Sequence, residues 1–115
     1  MKITFNKNEG SYLISLKGEL DASTSILVDR AIDKALKLPI TELWINCENL
    51  RYISSTGLGV FMSYIAILKE RQIALKICGM NARVHNVFTI LGLDQIIEVA
   101  TPTEEAVMLK RSNVA

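Results

Sequence analysis

Residues that carry chemistry are scarce in this chain. Among 115 residues it has one histidine, His85, and two cysteines, Cys47 and Cys78. A catalytic triad or a zinc site needs partners that a lone histidine lacks, and His85 reads as a structural residue beside an apolar stripe. The cysteines form no CxxC pair and sit in apolar runs. That excludes a disulfide scaffold and fits buried, reduced thiols in a cytoplasmic protein. An excess of charge is missing too: 13 Lys and Arg stand against 12 Asp and Glu, a net charge of +1. With no basic stripe either, direct nucleic-acid binding has no support. The longest apolar run, residues 58–68, is interrupted by Ser63 and falls short of the roughly 20 residues of a membrane span. The opening Met1-Lys2-Ile3-Thr4-Phe5-Asn6 is too polar for a signal peptide. Gly57-Leu58-Gly59 lacks the third glycine of a dinucleotide fingerprint, Met62 standing in its place, and no Walker lysine follows any glycine loop. Enzyme, cofactor and metal readings therefore find no footing. With hydrophobic residues at 50% and charged residues at 22%, disorder is excluded as the general state. The expectation is a soluble, cytoplasmic domain over residues 1–110 with a short tail at 111–115.

What is present is pattern. Ile3-Thr4-Phe5 and Tyr12-Leu13-Ile14-Ser15-Leu16 read as strands joined by turn residues Asn8-Glu9-Gly10, a hairpin. Gly18-Glu19-Leu20-Asp21 leads toward a helix striped by Leu27, Ala31, Ile32, Ala35 and Leu36, with Ser23 or Thr24 as its cap and Pro39 past its end. Leu43-Trp44-Ile45-Asn46-Cys47 reads as a strand covered on both faces, followed by a polar loop at residues 48–51. A second helix runs from Leu58 through Phe61, Met62, Ile65 and Leu68. Ile73, Leu75 and Ile77 alternate as a strand; Val84, Val87, Phe88 and Leu91 form a third helical stripe closed by Gly92. Ile96-Ile97-Glu98-Val99 is a last strand, and Pro102 opens a final helix to about Lys110. Trp44 and Phe88 lie within these apolar patterns and read as core. Strands alternating with helices predict an α/β fold, a mixed and mostly parallel sheet of four to five strands with about four helices.

That topology localises a site, because ligands and partners bind at the carboxyl edge of parallel strands. The loops at residues 18–23, 48–56 and 79–82 are expected to meet there, bringing Asp21 and Ser55 together. The unusual segment is Ser54-Ser55-Thr56-Gly57-Leu58-Gly59. Three hydroxyls stand where a loop becomes a helix, and two glycines in its first turn cost about 1 kcal/mol each relative to alanine. The glycines suggest close approach of another chain or a ligand. A hydroxyl here serves as an N-cap, or it accepts a phosphate, which a helix N-terminus stabilises. The plain cap is the simpler of the two readings.

At these residues the sequence resembles the STAS domain, and within it the bacterial anti-sigma factor antagonists. Gly18-Glu19-Leu20-Asp21 followed by Thr24 is similar to the family's segment after its second strand. Tyr52-Ile53-Ser54-Ser55-Thr56-Gly57-Leu58-Gly59-Val60 is similar to the segment around its phosphorylatable serine, and Leu91-Gly92-Leu93 falls at a similar small turn. The resemblance implies phosphorylation at Ser55 by an anti-sigma factor that is also an ATP-dependent serine kinase. It implies binding when unphosphorylated, release when phosphorylated, and room for a phosphatase that resets the switch. Asp21, Thr24, Ser54, Thr56, Gly57, Leu58 and Gly59 would form the partner surface, on a monomer or weak dimer. One departure stands out: many members carry Asp directly before the phosphorylated serine, and here it is Ser54. Ser54 and Thr56 are thereby competing acceptors, and a non-switching interaction or ligand-binding scaffold is the alternative function.

Overall fold

In a computed structural model that describes residues 1–112, side chains at 109, 111 and 112 apart, the chain opens with the expected hairpin. Strands β1 (Lys2–Asn8) and β2 (Ser11–Leu20) pair antiparallel, Ile3 opposite Leu16 and Asn8 opposite Ser11. Then follow α1 (Ser25–Ala35), β3 (Glu42–Ile53), α2 (Ser55–Glu70), β4 (Ala74–Cys78), α3 (Ala82–Ile90), β5 (Glu98–Val99) and α4 (Pro102–Ser112). The sheet order is β1-β2-β3-β4-β5, and every pair after the first is parallel. This is the mixed, mostly parallel α/β sheet that the pattern predicts.

Sequential order has a geometric consequence. Right-handed crossovers that always step the same way place their helices on the same face. Accordingly Val28 and Ile32 of α1, Leu58 and Phe61 of α2, and Val84 and Phe88 of α3 share one core with Ile14, Leu43 and Ile77 of the strands. The opposite face is left to α4, whose Met108 packs with Leu13, Trp44, Cys78 and Ala100 in a small second core.

Uncovered sheet explains the main departure from expectation. Residues 48–51 form no loop: β3 runs for 12 residues, with Leu50 and Ile53 buried and Glu48, Asn49, Arg51 and Tyr52 exposed. Its polar residues face solvent where α4 does not reach, so the strand lost its apolar signature without losing its ladder. Residues 18–20 are likewise strand, paired with β3 through register shifts after Ser15 and Gly18. The stripe of α1 holds at Ile32, Ala35 and Leu36, which are buried, and at Ala31, which packs against the core; only at its start does it differ, Val28 being buried and Leu27 exposed. Helix α2 begins three residues before Leu58, and β5 is shorter than its apolar run. Residues 111 and 112, expected in the tail, close α4; residues 113–115 lie outside the described residues.

The second core is fastened by charge. Lys76 Nζ lies 2.6 Å from Glu104 Oε2, 3.1 Å from Glu98 Oε2 and 3.8 Å from Glu42 Oε2, over the ring of Trp44. Glu104 also closes a capping box: Thr101 N–H donates to Glu104 Oε1 and Glu104 N–H to Thr101 Oγ1, both at 3.1 Å. The Lys76 ammonium, and then the Thr101 donors, hold the Glu104 carboxyl down to about 2. A carboxyl lowered by folding stabilises above its unfolded value and loses that contribution as pH falls toward the folded one. Acidification from about pH 4.5 to about 2 should therefore loosen α4 over the second core. Trp44, the only tryptophan, reports this by fluorescence, and Glu104→Gln should flatten that acid limb. An unchanged limb would mean that the knot contributes nothing.

Candidate functional site

Strands β2 and β3 end together, Leu20 opposite Ile53, so Asp21 and Ser54 leave the sheet side by side with Ser55 next along the chain. Leu20 supplies the anchor. Its carbonyl oxygen accepts the Ser54 N–H at 2.9 Å, and a Cβ on Gly57 would stand 2.7 Å from Leu20 Cγ and 2.8 Å from Leu20 O. The close approach that the glycine signals is thus made by the chain's own backbone. Gly59 differs, since a Cβ there would meet only open space.

The three hydroxyls divide their work. Ser54 has extended backbone angles, and its Oγ accepts the Gly57 N–H at 3.0 Å, which makes it the N-cap of α2. Serine thereby performs locally, without charge, the capping that an aspartate would also perform. Ser55 and Thr56, the first two residues of the helix, are exposed, and neither hydroxyl bonds to any described residue. No acidic residue lies in this first turn. A phosphate on either would therefore sit at the positive end of the helix without a like charge in that turn. Leu58 is fully buried and Gly57 is buried. The partner-contact role expected of these two is corrected: Leu58 plugs the helix into the core, and Gly57 seats it on Leu20.

Asp21 is occupied by its own loop. Its Oδ1 accepts from Ser23 Oγ at 2.7 Å, Ser23 N at 2.9 Å and Thr24 N at 3.1 Å. The Ser23 hydroxyl, and then the Thr24 and Ser23 amides, hold its carboxyl below the ordinary aspartate value. Thr24 occupies the cap position of α1 without a side-chain cap bond. Its Oγ1 accepts from Asp21 N at 2.9 Å and donates to Glu19 O at 2.8 Å. Asp21, expected at the partner surface, is first of all the organiser of this turn, and neither Ser23 nor Thr24 caps α1 in the expected way. Asp21→Ala should lower the melting temperature by about 5 °C, read by calorimetry. A melting temperature within error of the parent would return Asp21 to the surface role alone.

The third loop stands lower. Gly79 has φ +74°, and a Cβ there would lie 2.8 Å from Glu48 N and 2.9 Å from Asn46 Oδ1. Asn81 caps α3 by accepting from Val84 N at 2.8 Å and donates from Nδ2 to Leu50 O at 3.1 Å. Leu50 lies three residues before the end of β3, about 10 Å along the strand. Two of the three expected loops meet at the edge, and the third braces β3 from below. Asn81 was not foreseen, although an asparagine three residues before a buried valine is a readable cap signal.

Helices α1 and α2 are clamped to each other. Tyr64 OH donates to Asp29 Oδ1 at 2.8 Å, and Arg71 Nη1 donates to Leu36 O at 2.6 Å. Burial first, then the Asp29 bond, pushes the Tyr64 phenol up to about 12. His85 is exposed. Cys47 and Cys78 belong to the cores on opposite faces of the sheet, and burial above all pushes both thiols up to about 12, which keeps them unreactive. Among the described residues no three His, Cys, Asp or Glu gather so as to hold a metal ion, and no helix is long and apolar enough to cross a membrane.

A family model described as the STAS domain matches residues 2–106. The chain is 30% identical over 93 residues to the anti-sigma-B factor antagonist of Staphylococcus aureus (strain NCTC 8325 / PS 47), covering 81% of this chain and 86% of that protein. It is 27% identical over 100 residues to the anti-sigma F factor antagonist of Paenibacillus polymyxa, 86% of each chain. Among solved structures, the unphosphorylated anti-sigma factor antagonist SpoIIAA superposes with a TM-score of 0.77 at 24% identity, covering 99% of this chain and 100% of that one. The phosphorylated form of SpoIIAA from Bacillus gives 0.70 at 21% identity, covering 94% and 99%. With a sheet of this order, helices on these faces and relatives matched over most of their length, the chain belongs to the STAS domain family, among the anti-sigma factor antagonists.

Proposed function

We propose that this chain is a cytoplasmic partner-switching regulator of transcription. Unphosphorylated, it binds an anti-sigma factor that is also a serine kinase; phosphorylated at Ser55, it is released. The observation that carries this reading is the division of the hydroxyls. Ser54 is spent as the α2 cap, whereas Ser55 stands exposed at the first helical position. The cap also bears on the competition among acceptors: Ser54 Oγ is engaged by the Gly57 N–H, whereas the Ser55 hydroxyl bonds to no described residue. Thr56, exposed one residue on, remains the competitor that the experiment must separate.

The mechanism is local electrostatics at an interface. A phosphate adds about −1.5 to −2 charges at the positive end of α2, where the fold tolerates it. Against a kinase and its bound nucleotide, the same charge meets repulsion and unpaired desolvation. The names of the relatives in Staphylococcus aureus and Paenibacillus polymyxa, antagonists of anti-sigma factors, support an anti-sigma factor as the partner. The surface offered to the partner is then Ser55, Thr56 and Gly59, flanked by the Asp21–Thr24 turn.

Phosphopeptide mapping after incubation with ATP and a lysate of the source cells tests the acceptor. Phosphate on Ser55, lost in Ser55→Ala and retained in Thr56→Ala, is the expected result. Phosphate on Thr56 would move the switch by one residue. No phosphate, with the kinase in that lysate active on another substrate, would leave the unmodified interaction module.

A further inference from the structure

Strand β1 lies at the end of the sheet with no strand on its outer side among the described residues. Beside it, between β1 and α1, runs a groove of about 370 Å³. Its floor includes Ile3, Phe5, Tyr12 and Leu27, and its rim carries Arg30 and Lys34. Phe5 is 60% exposed although it stacks on Tyr12, and Leu27 is the α1 residue turned out of the core. An exposed edge guarded by lysines is a common way to prevent pairing. A guard accounts for Lys2 and Lys7 but not for a phenylalanine and a leucine left open beside them.

Charge narrows the occupant. Among the described residues no carboxylate lines the groove, and β1 itself contains Lys2 and Lys7 and no acid. On α1, Asp29 is engaged by Tyr64 and Asp33 by Lys37. Arg30 and Lys34 make no ion pair among the described residues, and Lys34 Nζ only rests over the Phe5 ring at 5.1 Å. A second copy pairing through β1 would set these lysines against their own counterparts, which cross-strand packing penalises. We propose that β1 and this groove receive an extended, acidic segment of a partner protein, which adds to the sheet as a sixth strand. Its backbone pairs with the open edge, its apolar side chains cover Phe5 and Leu27, and its carboxylates reach Arg30 and Lys34. The site involves neither Ser55 nor α2, so it stands or falls separately from the phosphorylation switch.

The test is an amide-shift titration of the full chain with the blocked peptide acetyl-Glu-Val-Asp-Phe-Glu-Val-Asp-amide. Its analogue with lysine at every acidic position serves as the control. Shifts concentrated on residues 2–8 are expected, with affinity weakened about tenfold in the Arg30→Glu/Lys34→Glu double variant and unchanged in Ser55→Ala. Both substituted residues are exposed, so the fold should persist, and a matching melting temperature checks that it does. Any of the following results would overturn the proposal. One is no shift up to about 1 mM peptide, or equal binding of the lysine analogue. Another is occupation of the groove by dodecanoate with no effect of the peptide, which would assign it to an anionic amphiphile. The last is a concentration-dependent dimer abolished by Phe5→Asp, which would assign it to a second copy.

Discussion

Under the proposed switch, Ser55→Asp should bind an anti-sigma kinase on the order of 150-fold more weakly than Ser55→Ala, the factor that a penalty of about 3 kcal/mol produces. The same substitution should not harm the fold. An acidic side chain in the first turn of α2, which has none, is favoured by the helix dipole by about 0.3–1 kcal/mol. Ser55→Asp is therefore expected to unfold at the parent temperature or slightly above it while losing its partner. That opposition separates a switch from a misfolded variant. Titration calorimetry against the purified kinase with bound nucleotide, beside thermal unfolding of each variant, gives both readouts. Equal affinity of the two variants would sink the electrostatic mechanism.

The glycine pair gives the second large effect. Gly57→Ala should destabilise by about 1–3 kcal/mol, because its Cβ would press on Leu20 O and Cγ at distances no real contact tolerates. A carbonyl inside a paired strand cannot give way as a flexible side-chain end can. Gly59→Ala, two residues on in open space, should instead stabilise by about 0.5–1 kcal/mol through helix propensity alone. Urea unfolding of both variants measures the contrast. Equal responses would mean that Gly57 is retained for a partner and not for the packing of α2 against β2.

This contrast also marks how far the sequence could be read. Turn residues and apolar spacing made the elements, their order and the mostly parallel sheet legible. Both Ser54-Ser55-Thr56 and the Asp21 segment were located at the right edge. Residues 48–51 read as loop because four of the last six residues of β3 face solvent, and a strand with a register shift there has neither a continuous apolar run nor clean alternation. In α1 only the first residue of the stripe differs, Val28 being buried and Leu27 exposed, because two adjacent residues of similar apolarity give spacing alone nothing to choose between them. The hydroxyl that caps α2, and the identity of what presses on Gly57, depend on where Leu20 lies. No local pattern around residue 57 contains that information.

Leu20 thus has a consequence beyond packing. The bond from Ser54 and the seat for Gly57 both rest on a strand laid down one helix earlier in the chain. The turn that presents Ser55 exists only after β2 and β3 have found each other. In an unfolded chain the same serine lies in an uncapped stretch with no helix behind it. Under the proposed switch, a partner that recognises Ser55 in its helical setting would take only finished molecules, so the same surface would also certify that the chain has folded.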